Sequence, residues 1–153
     1  MKPNYILIPA IVAFISLAGS WFTNQGMKWY QALHLPDWTP PGAVIGIIWT
    51  AIFVLSIISI LFIWNRFPRD KRFRWIVITL VINGILNLYW SFLFFYFGFI
   101  GAAFLEAVML DVSVIVIMIL AWPKNKWISL LFLPYALWVA LASYLNYIIW
   151  TLN

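Results

Sequence analysis

The sequence predicts an all-α, polytopic membrane protein, a single bundle of five transmembrane helices built from residues 1–153. Three observations carry that prediction. Hydrophobic residues make up 66% of the chain and charged residues only 8%, against about 25% charged in an ordinary soluble domain. Five windows have the roughly 20 mainly apolar residues that a helix needs to cross the hydrocarbon core. Short polar or proline-containing separators stand between them. A soluble fold has nowhere to hide so much apolar surface, whereas in a bilayer lipid is the solvent. β-Barrel strands would be shorter, about ten residues, and would alternate in polarity; these windows do neither.

The windows run at about 5–23, 42–64, 74–96, 101–122 and 127–150. The first has the basic start and the small residues Ala18-Gly19-Ser20 of a signal peptide. It is nevertheless as long as a full span, and the rest of the chain is equally apolar, so it is read as the first helix. Asn24-Gln25-Gly26 is expected to end it. Loop 24–41 then caps the bundle; Trp29, Tyr30, Leu33, Leu35 and Trp38 make it apolar enough to fold down, with a short interfacial helix near 27–34. Pro36, Pro40 and Pro41 stiffen the approach to the second helix. The polar stretch 65–73 is broken by Pro68, and Gly98 and Gly101 bracket a very short turn. The 123–126 turn, Pro-Lys-Asn-Lys, leads into the fifth window, where Pro134 is expected to kink or loosen the helix.

Basic residues set the orientation. Lys2, Arg66, Arg69, Lys71, Arg72, Arg74, Lys124 and Lys126 fall on one side of a five-helix bundle, and Lys28 alone on the other. The positive-inside rule then places the N-terminus in the cytoplasm and the C-terminus and loop 24–41 outside. No mitochondrial targeting segment is seen, so a bacterial plasma membrane is expected. The net charge of +5 rests on few charges and reads as a topology signal; no nucleic-acid partner is expected.

The chain has no cysteine, which excludes disulfides, thiolate metal sites and a cysteine nucleophile. It has no P-loop, no metal-ligand cluster, no nucleophile–His–acid set and no ring of charge that would form an ion filter. Polar groups in lipid are costly and should face the bundle interior. Asn83, Asn87, Trp90 and Ser91 share one face of the third helix; Tyr135, Trp138, Ala142 and Asn146 form a stripe on the fifth; Trp49 and Phe53 come from the second. At 1.5 Å rise per residue, most of these reach the same outer-half depth, below the loop. They describe an aromatic cavity with a few amides, suited to a flat, largely apolar ligand. The asparagines serve equally well as interhelical hydrogen-bond partners. Trp21, Trp75, Trp127 and Trp150, near helix ends, read as interface anchors. Glu106 and Asp111 are about 140° apart around a helix and make no obvious catalytic pair.

Three blocks carry a resemblance to a known family. The first is Trp29-Tyr30 through Leu35-Pro36-Asp37-Trp38-Thr39-Pro40-Pro41, followed by Trp49; the second is Leu86-Asn87-Leu88-Tyr89-Trp90-Ser91, with Phe94-Phe95. The third is Pro134-Tyr135-Ala136-Leu137-Trp138 through Leu145-Asn146-Tyr147 to Trp150. In this order they resemble the translocator protein, or tryptophan-rich sensory protein (TspO/MBR), family, the peripheral-type benzodiazepine receptors. The resemblance implies a five-helix bundle, commonly a homodimer, that binds porphyrins such as protoporphyrin IX and drug-like benzodiazepine-site ligands beneath the first loop. No resident cofactor is required; porphyrin is ligand or substrate. Carried over onto this chain, the ligand-binding candidates are Trp49, Asn87, Trp90, Trp138 and Ala142, with Tyr30, Pro41, Ile45 and Ser91 adjoining. Light-dependent porphyrin degradation is attributed to bacterial members, and the resemblance makes Trp49 and Trp138 its catalytic candidates. The basic residue of the family's sterol pattern is missing after Tyr147, which argues against a sterol partner. Three functions follow as expectations: a porphyrin-binding receptor or sensor first, a photochemical enzyme second, and a transporter of small amphipathic molecules third.

Overall fold

The computed structural model describes residues 2–153, and all regular secondary structure among them is helical. In chain order the helices are α1 (Asn4–Tyr30), α2 (Gly42–Arg66), α3 (Lys71–Ser91), α4 (Ile100–Ala121), α5 (Lys126–Leu130) and α6 (Leu133–Leu152), with a π-helical turn at Phe92–Tyr96 prolonging α3. Among the described residues five spans are long and apolar enough to cross a membrane, Lys71–Tyr96 and Lys126–Leu152 each counting as one. Leu17, Ile47, Ile85, Leu105 and Leu137 are among many large apolar residues left on the outside. In water that surface would be a liability; against lipid chains it costs nothing. The chain is a multi-pass membrane protein.

The core is built where α4 packs against α3 and α6. Ile76, Val114, Ile117, Ala121, Phe132 and Val139 are almost completely buried there. A second cluster lies nearer the loop, where Phe94 and Ala103 are covered by Trp29, Tyr30, Leu33 and Leu35.

One expected boundary needs correction. Asn24-Gln25-Gly26 does not end the first helix, which runs on to Tyr30 and absorbs the start of the expected interfacial helix near 27–34. Gly26 is a packing glycine: a Cβ there would lie 2.0 Å from the Phe95 carbonyl oxygen. The loop is therefore shorter than 24–41 and begins at the cap residue Gln31. The third span ends at Tyr96 as expected, but after Ser91 its last turn widens to π geometry, with the Phe97 N–H reaching the Phe92 carbonyl at 3.2 Å. The turn to α4 uses Gly98 at φ 68°, a conformation that glycine adopts without steric cost.

Pro134 acts as expected of it. The fifth span is interrupted at Leu131–Phe132, and Pro134 sits in the first turn of α6, where a missing N–H is harmless. The Ser129 hydroxyl donates to the Met118 carbonyl at 2.7 Å and ties the short α5 to α4.

At the basic end, Asp70 caps α3 by accepting the Phe73 N–H at 2.8 Å. Its other carboxylate oxygen pairs with Lys124 and so joins the 67–70 and 122–125 connections. The Lys124 ammonium, and after it the Phe73 N–H, hold the Asp70 carboxyl below the usual carboxylate range. Arg69 lies over the rings of Trp64 (4.6 Å) and Phe73 (4.1 Å) and donates to the Trp64 carbonyl.

Candidate functional site

Helical spacing aims side chains from four helices into one space. On α2, Ile45, Trp49 and Phe53 recur every fourth residue. On α3 the same face carries Asn87, Trp90 and Ser91, and the π-helical turn prolongs it with Phe94 and Phe95. On α6 the stripe is Trp138, Ala142, Leu145 and Asn146. Together with α1 and the loop they enclose a cavity of about 820 Å³, within the range of small-molecule sites. Ala107 and Leu110 of α4 form part of its wall.

Eight of the nine candidate residues meet there: Tyr30, Ile45, Trp49, Asn87, Trp90, Ser91, Trp138 and Ala142. Pro41 does not line the cavity; its neighbours Pro40 and Gly42 do. Pro41 is the N-cap of α2 and exposed, so it sets the direction in which the helix starts. Composition gave no hint of the contribution from α1. Ser16, Gly19, Ser20 and Thr23 line one side, and their i, i+3, i+4, i+7 spacing is the signal that could have found them.

The aromatic residues are held in set orientations. Trp90 stacks on Phe94 with ring centroids 5.2 Å apart, and its indole N–H donates to Asn146 Oδ1 at 3.1 Å. Asn146 in turn donates to the Ile100 carbonyl at 2.8 Å, so the start of α4 fixes which way this amide faces. Trp49 stacks on Phe53 at 5.6 Å and meets Tyr135 edge-on at 5.9 Å. Trp138 is buried, and its indole N–H has no partner among the described residues.

A second polar chain crosses the bundle. Asn87 donates to the Tyr135 hydroxyl at 2.8 Å, and Tyr135 donates to Asn83 Oδ1 at 3.2 Å. Asn83 donates to Ser113 Oγ at 2.8 Å, and Ser113 to the Leu110 carbonyl at 2.7 Å. Asn83 is thus interhelical glue, whereas Asn87 and Asn146 both tie helices together and form part of the cavity wall. Glu106 is buried outside the cavity wall with both carboxylate oxygens unpartnered among the described residues. Asp111 points elsewhere and borders a separate groove with Trp122 and Leu137.

The loop lies over the cavity mouth and is fastened to α6. Asn153 accepts from the His34 N–H at 2.9 Å and donates to the His34 carbonyl at 3.1 Å. Trp38 stacks on Tyr144 with centroids 5.8 Å apart and planes 14° from parallel. Leu35, Thr39 and Pro40 face the cavity.

Comparison with known proteins gives the same picture along the whole chain. Residues 5–151 match the model of the TspO/MBR family. The chain is 36% identical to the uncharacterized membrane protein YtaB of Bacillus subtilis, over 92% of this chain and 90% of that one. It is 35% identical to the tryptophan-rich protein TspO of Archaeoglobus fulgidus, over 96% of each. The human translocator protein is similar at 24% identity over 98% of this chain and 88% of its own length. The five membrane spans, the tryptophan-lined cavity and the match over nearly every residue lead to one conclusion: the chain belongs to the TspO/MBR family.

Proposed function

We propose that this protein is a receptor or sensor of a bacterial plasma membrane that binds porphyrins, protoporphyrin IX among them, and benzodiazepine-site ligands in the cavity under the 31–41 loop. One observation carries the reading. Trp49, Trp90 and Trp138, from three different helices, line a single space of about 820 Å³ covered by an apolar loop. Flat aromatic walls with few polar groups suit a flat, largely apolar ligand. The ligand is the only non-protein component this reading needs. Eight of the nine basic residues fall on one side of a five-helix bundle, which supports an N-terminus in the cytoplasm and the loop outside. The functional unit in this reading is a homodimer, and cross-linking in lipid is expected to trap it.

The test is a dark titration of the lipid-embedded protein with protoporphyrin, followed by tryptophan quenching. Saturable, stoichiometric quenching that weakens in Trp138→Phe is the expected outcome. Quenching that never saturates would mean that porphyrin only partitions into lipid.

A second reading, light-dependent porphyrin breakdown, draws on Trp138 and Trp49. The Trp138 indole N–H is uncommitted and Trp49 abuts Tyr135, so oxidisable rings stand at the cavity wall. Under light and dioxygen the wild-type complex is then expected to change its absorption spectrum, and Trp138→Phe to bind without that change. Transport of amphipathic molecules ranks below both; gradient-driven flux in proteoliposomes would raise it.

A further inference from the structure

The polar chain that starts at the cavity has a fixed direction. Ser113 Oγ and the Leu110 carbonyl oxygen are 2.7 Å apart. Two oxygens that close need a proton between them, and the carbonyl has none, so the serine hydroxyl must donate. Its lone pairs then take an N–H of Asn83, 2.8 Å away. That turns Asn83 Oδ1 toward Tyr135, whose hydroxyl donates to it. The tyrosine oxygen is left to accept, and what it accepts is the Asn87 amide N–H at 2.8 Å. Amide orientation is ordinarily ambiguous from heavy atoms alone; here a backbone carbonyl on α4 settles it four bonds away. The first link lies within α4, the other three cross between α4, α3 and α6, and the middle of the chain is buried.

The consequence appears at the cavity wall. With its nitrogen turned to Tyr135, Asn87 has its oxygen at the opposite end of the amide, and Oδ1 takes no hydrogen bond from the described residues. Several other donors of the cavity wall are already committed elsewhere. The hydroxyls of Ser20, Thr23, Thr39 and Thr50 spend their protons on the carbonyls of Ser16, Gly19, Pro36 and Gly46. The Trp90 indole N–H is committed to Asn146. We infer that Asn87 Oδ1 is a specificity-determining acceptor, and that the cavity selects flat aromatic ligands carrying an N–H or O–H donor on the edge that meets α3. Ligands with an acceptor at that edge are disfavoured, because two lone pairs face each other in a site with little water to separate them. This inference rests on the proposal that the cavity binds such ligands at all.

A pair of rigid probes of equal shape tests it. Carbazole carries a ring N–H where dibenzofuran carries an ether oxygen. Saturable binding of each is measured in lipid nanodiscs, corrected for partition into protein-free discs, with protoporphyrin titrated alongside. Carbazole is expected to bind the wild-type protein about tenfold more tightly. Asn87→Leu should bring the ratio to about one, and so should Tyr135→Phe, which frees the Asn87 amide to rotate. Ser113→Ala, at the far end of the chain and outside the cavity wall, should also lower the ratio, and serves if Tyr135→Phe fails to fold. Saturable protoporphyrin binding with no preference for carbazole overturns the inference and leaves the cavity reading standing. A preference that survives Tyr135→Phe and Ser113→Ala overturns it too, since the chain would not be setting the acceptor. No saturable binding of any of the three compounds overturns both.

Discussion

Gly26 and Ser113 show how much a single small residue carries in this protein. Gly26 lets α1 touch the backbone of the π-helical turn, and a methyl group there would lie 2.0 Å from the Phe95 carbonyl oxygen. Gly26→Ala is therefore expected to destabilise the bundle by about 1–3 kcal/mol, read as a lower Tm in detergent with helical content retained below the transition. Ser113 is the one hydroxyl of α4, and it orients the amide of Asn83 and, through Tyr135, that of Asn87. Neither role was legible in the sequence. A glycine after Asn-Gln reads as a helix stop, because close approach between helices depends on a partner that local pattern cannot show. Trp49, Trp90 and Trp138 were legible, since tryptophan at helical spacing away from helix ends has few other places to point.

Among elements, the helices were read well and their ends less so. Composition fixes a span's existence, but α1 runs seven residues beyond the expected end at 23, to Tyr30. The wide turn at Phe92–Tyr96 left no mark in the hydrophobic pattern, because every residue in it is aromatic or leucine. The loop over the cavity is held by side chains that no periodicity reveals: Asn153 on His34 and Tyr144 against Trp38. Asn153→Ala should loosen it, seen as several-fold faster amide exchange across residues 33–40. The opposite end depends on Asp70. Its carboxyl is held below its ordinary range by Lys124 and the Phe73 N–H. The tie therefore stabilises the fold fully above that range and is lost as pH falls through the lowered value. Asp70→Asn, which can still cap α3 but loses the ion pair with Lys124, should remove this acid dependence and lower stability modestly at neutral pH. Asp70→Ala, which loses the cap as well, should lower it further.

For the whole molecule, membrane topology and cavity follow from one arrangement. Five spans put basic residues at one end and the loop-covered cavity at the other. The chain has no cysteine, so single cysteines report topology cleanly. On intact cells a membrane-impermeant maleimide is expected to label Asp37→Cys in the loop and to spare Arg72→Cys until the membrane is broken; the reverse pattern would invert the orientation. The bundle and the aromatic stripes of three helices were legible because a bilayer allows polar and aromatic groups few positions. The wall from α1 was not, since Ser16, Gly19, Ser20 and Thr23 resemble ordinary small residues of a span. The central claim is that ligand enters this cavity, and Ala142→Phe tests it most directly. Ala142 lines the space one turn from Trp138, so a phenyl ring there should fill it without disturbing the core. Protoporphyrin titrated in the dark into lipid-embedded wild type and Ala142→Phe, of equal Tm, should saturate with the first and lose saturable binding with the second. Equal affinity for both proteins would place the ligand elsewhere and contradict the account.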